Sequence, residues 1–307
     1  MIETGTHETD PWVQYFARRG HPGARRLASG TEGIVYRLRQ GTVAKVWTGR
    51  PPEDFALTRR LYADIARHPL PFDTPEILGT EEHDGVLVSY ERELGGRPLR
   101  SGTEGDPPAR DLPRGETDAL LTVLRGLASV PGTEAMRRLV IQGDDRPLRQ
   151  GHSRFSDALA ALVERAAGRN GEALAAHVPG LADVVSRTAA ALRALPDQAD
   201  SVVHGDLVPP NIHFDEAGRP VAVLDFGFCT TAGDPAFEAA VTAAVWDLYG
   251  PDADRHTAEL SRLFARELGH AEEVLTLYRR AYALITYDLF GTGPQDGHFR
   301  WCAVRLR

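Results

Sequence analysis

From Leu27 onward apolar and polar positions alternate with a period of two, and ASGTEGIVYRLRQGTVAKVWTG reads as two short strands joined at Arg39-Gln40-Gly41. Residues 52–67 switch to a helical period, with Phe55, Leu61, Tyr62 and Ile65 on one stripe. A proline-marked stretch, HPLPFDTPEILG, leads into a hairpin predicted through His83-Asp84-Gly85 and on into VLVSYEREL. Ahead of these elements, the first twenty-odd residues are polar around a short apolar patch at 12–16, which predicts a loose lead-in or a capping segment.

After Leu99 the pattern breaks at SGTEGDPPARDLPRG, a loop by its glycine, proline and charge content. Helical periods rich in Ala, Leu and Arg follow near 116–129, 153–168 and 181–195. A strand pair is inserted next: SVVHGD, then NIHF, a turn over 215–218, and PVAVLDFG. From Ala236 to about Leu289 the chain reads as helix again, and no internal repeat is present. The expected fold class is α+β, with a small antiparallel-sheet lobe over 1–94 (lead-in 1–22) and a larger helical lobe over 95–307.

Composition narrows what such a chain does. Apolar residues at 42% and charged residues at 25% are ordinary for a globular enzyme. A net charge of -8 argues against a nucleic-acid binder, which needs a basic face for the phosphates. No apolar run reaches the length of a membrane span, and the start has no signal pattern, so no membrane partner is expected. Two cysteines, Cys229 and Cys302, form no disulfide framework, which points to the cytoplasm. Of 35 basic residues only Lys45 is a lysine, an exception in a chain that writes its other positive charges as arginine.

The most specific segment is His204-Gly205-Asp206-Leu207-Val208-Pro209-Pro210-Asn211, followed fourteen residues after Asn211 by Asp225-Phe226-Gly227. Two carboxylates and an amide at strand ends suit divalent-metal phosphate chemistry, because Mg²⁺ takes hard oxygen ligands. Asn211 and Asp225 would hold the metal, and Asp206 would orient and deprotonate an acceptor hydroxyl. Upstream, Gly30, Thr31 and Gly33 form a short glycine turn that lets backbone N–H groups approach phosphates. The next strand carries Lys45, a compact point charge suited to bridging phosphates. By contrast, His213 and Cys229 read as packed side chains, and Glu81-Glu82 as a solvated turn.

This order of glycine hairpin, strand lysine, H-x-D-x₄-N and D-F-G resembles the protein-kinase-like superfamily. With HGDLVPPN and the later Gly233-Asp234-Pro235, it resembles the aminoglycoside phosphotransferase family most closely, over residues 25–290. The resemblance implies a bilobal kinase-like fold that binds ATP and Mg²⁺, with Tyr90, Glu91 and Arg92 in the adenine-binding hinge and Asp234 as a brace. It also implies an acidic partner for Lys45 on the following helix. No acid stands at the usual spacing; Glu53 and Asp54 at the helix start are the candidates, with Asp64 behind them, and Glu53 is favoured. Val208 occupies the position where protein kinases carry a lysine. Gly233-Asp234-Pro235 comes only six residues after Gly227, too soon for a peptide-docking segment.

The expected activity is therefore transfer of the γ-phosphate of ATP to a hydroxyl of a small molecule, an aminoglycoside or another antibiotic or amino sugar. Asp247, Asp252, Tyr287 and Asp288, with Tyr249, Asp254 and Trp301, are the acceptor-binding expectation, since acids and rings suit a cationic sugar. The alternative is a kinase-fold protein that binds a ligand or regulates a partner without catalysis.

Overall fold

The computed structural model describes residues 10–30, 33–48, 52–98 and 111–307, with the side chains of 52–54 outside that description. The chain divides into two compact units, residues 1–63 with 74–95, and residues 64–73 with 96–307.

The first unit is built on a five-stranded antiparallel sheet. Its strands are β1 (Arg25–Gly30), β2 (Gly33–Arg39), β3 (Thr42–Trp47), β4 (Ile77–His83) and β5 (Val86–Arg92), in the order β1-β2-β3-β5-β4. Asp84 and Gly85, at φ 51° and 76°, make the tight turn between β4 and β5, the left-handed pair that a two-residue hairpin requires. Tyr36, Ala44, Val46 and Val88 lie on one face of the sheet, covered by helix α1 (Pro11–Arg18) through Tyr15 and Phe16. Asp10 caps α1 by accepting from the Trp12 N–H at 2.9 Å, and its carboxylate also takes the Tyr36 hydroxyl at 2.9 Å. Of the two expectations for the lead-in, the capping segment describes residues 10–18. Glu81 corrects the solvated-turn reading: it sits on β4, accepts from the Tyr15 hydroxyl at 2.5 Å and pairs with Arg19 at 2.9 Å. Helix α2 (Pro52–Ile65) sets Phe55 against Trp47 and Leu87 in a second small core.

The second unit is mostly helical. β6 (Arg97–Pro98) leads to α3 (Arg114–Ala128), α4 (Glu134–Arg137), α5 (Phe155–Ala175) and α6 (Leu181–Arg193). Four short strands follow: β7 (Ser201–Val203), β8 (Ile212–Phe214), β9 (Pro220–Val223) and β10 (Thr231–Gly233). β8 and β9 form the expected hairpin, joined by β6, while β7 pairs with β10. The chain closes with α7 (Pro235–Val245), α8 (Ala253–Leu268), α9 (Glu272–Thr286) and α10 (Gly297–Arg305). Every residue of α7 after its first proline is buried, as expected of a helix that is apolar on all sides. No helix among the described residues is long and apolar enough to cross a membrane.

Candidate active site

The segment between β7 and β10 holds the motif residues, and its shape follows from local sequence. Val203 pairs with Thr231, which fixes where the chain leaves β7 and where it returns. Gly205 sits at φ +75°, and a Cβ there would lie 2.5 Å from the Cys229 Cβ and 2.8 Å from its carbonyl oxygen. Only glycine meets both demands. Leu224 N–H donates to the Asn211 carbonyl at 2.9 Å and Ile212 pairs with Val223, so Asn211 and Asp225 are carried on the same end of the β8–β9 hairpin.

His204 ties the two loops together. It is fully buried, and its Nε2 lies 2.7 Å from the Leu224 carbonyl, an acceptor, so that nitrogen carries the proton. The other ring nitrogen, Nδ1, then accepts the Asp206 N–H at 3.2 Å. Burial pushes the His204 pKa down to about 4, which keeps the ring neutral and fit for both roles near pH 7. The Phe226 ring packs against it, with centroids 4.4 Å apart.

Beneath the loop lies a residue that sequence reading missed. Glu238, in buried α7, accepts the His204 N–H at 2.5 Å and the Gly205 N–H at 2.9 Å. Burial raises its pKa to about 7, against the two backbone donors, which favour the charged form. Thr230 adds a third tie, donating from Oγ1 to the His204 carbonyl at 2.9 Å. The signal for Glu238 was present: it is the only acid in the otherwise apolar helix PAFEAAVTAAV. Asp234 caps that helix at the Ala236 N–H (2.8 Å) and accepts the Tyr278 hydroxyl at 2.7 Å, the geometry of a brace. Cys229 is buried and its thiol is pushed up in pKa by burial, so it packs as a thiol.

Asn211 donates from Nδ2 to the Asp206 carbonyl at 2.9 Å and approaches its carboxylate at 3.5 Å. Its amide nitrogen is thus turned to Asp206, which leaves the amide oxygen as the end that suits a cation. Asp225 is exposed and sits at φ 63°, a left-handed conformation that costs an aspartate of order 1 kcal/mol. One amide oxygen and one carboxylate make a hard, incomplete donor set, which fits Mg²⁺ sharing its coordination with phosphates and water. Among the described residues no group of three or more His, Cys, Asp or Glu gathers as a self-sufficient metal cage.

In the first unit, Lys45 on β3 pairs with Val35 and Ser89 in register, and its Nζ lies 3.9 Å from the Trp47 ring centroid. Trp47 donates from Nε1 to the Ser89 hydroxyl at 2.8 Å, and Ser89 donates to the Glu91 carboxylate at 2.5 Å. Lys45, Trp47, Ser89 and Glu91 therefore share one face of the sheet. Tyr90 points to the other face, under α1, where its hydroxyl donates to Glu81. Tyr90, Glu91 and Arg92 end β5, paired to β3, and the Arg92 N–H is given to the Glu76 carbonyl at 3.0 Å. A Cβ on Gly33 would run into the Val46 carbonyl oxygen, and Gly30 pairs with Gly33. Thr31 and the Glu53 side chain lie outside the described residues.

The expected acceptor residues are engaged elsewhere. Tyr287 is fully buried; its hydroxyl donates to the Ala166 carbonyl at 3.0 Å and accepts the Asn170 N–H at 3.1 Å, standing in for a helical bond at the α5 kink. Asp288, with a side chain 4% exposed, binds Arg169 at 2.9 Å and the Asn170 amide at 2.9 Å. Asp247 meets His256 Nδ1 at 2.6 Å, and Asp252 meets Arg255 at 3.4 Å.

A family model described as the phosphotransferase enzyme family matches residues 23–284 of the chain. No curated protein matches it. Among solved structures, the aminoglycoside phosphotransferase APH(3'')-Id from Streptomyces rimosus ATCC10970, in complex with ADP and streptomycin, is similar at a TM-score of 0.56 and 18% identity, covering 90% of this chain and 97% of that one. The macrolide 2'-phosphotransferase MphH from Brachybacterium faecium is similar at 0.60 and 20%, covering 97% and 98%. The GDP and kanamycin complex of APH(2")-IIia is similar at 0.60 and 14%, covering 97% and 96%. At these identities the structures show a common fold, that of kinase-like phosphotransferases.

Proposed function

The chain belongs to the phosphotransferase enzyme family, and on that premise we propose that it transfers the γ-phosphoryl group of ATP to a hydroxyl of a small molecule, an aminoglycoside or another antibiotic or amino sugar. The observation that carries this reading is the coupling of Asp206 to Asn211 and, through neutral His204, to the strand end that bears Asp225.

The roles follow from charge and geometry. Asp206 accepts a hydrogen bond from the acceptor hydroxyl, aims its oxygen at phosphorus and takes its proton as the new oxygen–phosphorus bond forms. The bond from the γ-phosphorus to the bridging oxygen breaks, and ADP leaves with that electron pair. When bound, Mg²⁺ would neutralise charge on the phosphates, and Asn211 and Asp225 are the residues that would hold it. Lys45 is assigned to the nucleotide phosphates, with the β1–β2 glycine turn supplying backbone donors. Glu238 and His204 move nothing; they keep the loop in place so that Asp206 is already aimed.

The test is mass spectrometry of a panel of aminoglycosides, macrolides, nucleoside antibiotics and amino sugars incubated with enzyme and Mg–ATP. Gain of one phosphoryl group by a panel member, absent with Asp206→Asn, is the expected result. Equal turnover by the variant would remove Asp206 from its role. No product together with no nucleotide binding would favour a non-catalytic protein of the same fold.

A further inference from the structure

We propose that the acceptor is a ring-bearing glycoside of low positive charge that lays an apolar face on Phe290; the proposal rests on the phosphotransferase reading above. A polycation would need carboxylates with charge to spare. In the second unit Asp247 is held by His256 at 2.6 Å, Asp252 by Arg255 at 3.4 Å and Asp288 by Arg169 at 2.9 Å, while Asp254 is paired with Arg305. Taking Asp247 or Asp288 for a substrate ammonium would strand the buried His256 or Arg169, and that cost offsets the new contact.

What this unit leaves open is aromatic. Phe290 is 55% exposed and Tyr249 is 62% exposed, the two exposed aromatic side chains among the described residues of this unit. Phe290 is also fixed in orientation. Its ring lies parallel to that of Phe228, at 4° and 6.0 Å between centroids, and the His298 ring meets it edge-on at 5.3 Å and 89°. His298 is in turn stacked on Trp301 at 5.6 Å, and the Phe228 carbonyl is held by the Gln142 N–H at 2.8 Å. An exposed ring braced on two sides loses little side-chain entropy on binding, which sets it apart from a stray surface phenylalanine.

Sequence and packing put this wall beside the proposed chemistry. Phe228 immediately follows Asp225-Phe226-Gly227, and the next residue, Cys229, fills the space beside Gly205, the neighbour of Asp206. The faces of Phe rings accept sugar and lactone C–H edges, and a single ammonium through the ring quadrupole. A hydroxyl of an acceptor lying on Phe290 is thus delivered next to the loop that would deprotonate it.

The experiment measures phosphorylation of erythromycin, a macrolide glycoside with one amine, against polycationic kanamycin. Wild type, Phe290→Ala and Phe290→Tyr are compared, with the Mg–ATP affinity of each read by calorimetry. Erythromycin is expected to be preferred in kcat/KM by about tenfold or more. Phe290→Ala should raise its KM about tenfold, Phe290→Tyr should stay near wild type, and Mg–ATP affinity should be the same in all three. Preference for kanamycin, or an erythromycin KM that Phe290→Ala leaves unchanged, overturns the proposal while the phosphotransferase reading stands. A wild type that binds Mg–ATP yet phosphorylates neither compound overturns the proposal too. If Mg–ATP binding is also missing, the phosphotransferase reading falls with it.

Discussion

Two parts of the second unit use buried polar groups in opposite ways. Around Asp206 a carboxylate and a neutral histidine spend their hydrogen bonds on backbone: Glu238 on the N–H groups of His204 and Gly205, and His204 on the Leu224 carbonyl and the Asp206 N–H. From Asp247 to Asp288, acids spend theirs on other side chains, on His256, Arg255 and Arg169. The first arrangement fixes in one conformation the loop that carries Asp206, the proposed base. The second ties acids to neighbouring or distant side chains, and under the inference above the aromatic rings, not the charges, meet the acceptor. The loop around Asp206 is thus held by bonds to backbone that reach 20 to 34 residues along the chain, while the acids from Asp247 to Asp288 are held by side chains, from three residues away at Arg255 to 119 at Arg169.

Six substitutions break or sharpen that contrast, beginning with the largest. Asp206→Asn should lower kcat by about 10³-fold and leave the Mg–ATP dissociation constant nearly unchanged, as read by single-turnover transfer and calorimetry. A large loss of nucleotide affinity would mean that Asp206 shapes the loop instead of acting on the acceptor.

Gly205→Ala should cost about 3 kcal/mol or more in urea unfolding, because the new Cβ meets Cys229 as well as an unfavourable φ. Gly218→Ala is the control: its φ is the same +75° with nothing within 4 Å, so about 1 kcal/mol is expected. Equal costs would show that the crowding at Gly205 relaxes freely.

The buried pair gives a pH signature. The His204 pKa in the fold is about 4, below its ordinary 6.5, so the unfolded chain binds the extra proton and stability falls as pH drops from 6.5 towards 4. The Glu238 pKa is raised from 4.5 to about 7, so its contribution is present at low pH and is lost as pH rises towards 7. The two slopes oppose each other between pH 4.5 and 6.5. Glu238→Gln should therefore steepen the fall in Tm from pH 6.5 to 4.5, and a shallower fall would contradict the assignment.

Smallest are the changes on the acceptor side. Asp288→Asn should cost about 1 kcal/mol by leaving Arg169 underpaired, and kcat should change little. Asp254→Asn, on a carboxylate 80% exposed, should not move the melt measurably. A drop in kcat from either would return the acids to a direct role in acceptor handling.

The same contrast explains what could be read in the sequence. Asn211 reaches Asp206 across five residues, so the spacing of HGDLVPPN was enough to join them, whereas the ties of His204 to Leu224 and of Asp234 to Tyr278 span 20 and 44 residues. The hairpin at Asp84-Gly85 was legible for the same reason, since two residues encode the turn. The pairing of β7 with β10 was not, because Thr231 reaches Val203 only after the β8–β9 hairpin has folded between them. Nor could spacing tell that Asp288 is claimed by Arg169, 119 residues earlier, or that the Tyr287 hydroxyl completes a break in α5. Glu81 reads as a surface acid until α1 brings Tyr15 and Arg19 to it. Glu238 lies between these cases: a lone acid in an apolar helix is visible in the sequence, but the two N–H groups that it serves are not.

The central claim is that the γ-phosphoryl group passes from ATP to a small-molecule hydroxyl with Asp206 as the base, and intact-mass analysis of acceptor after incubation with Mg–ATP tests it most directly. The account predicts a single added phosphoryl group with the wild type and none above background with Asp206→Asn, while both proteins bind Mg–ATP. Phosphorylated acceptor at the wild-type rate from the variant would contradict it.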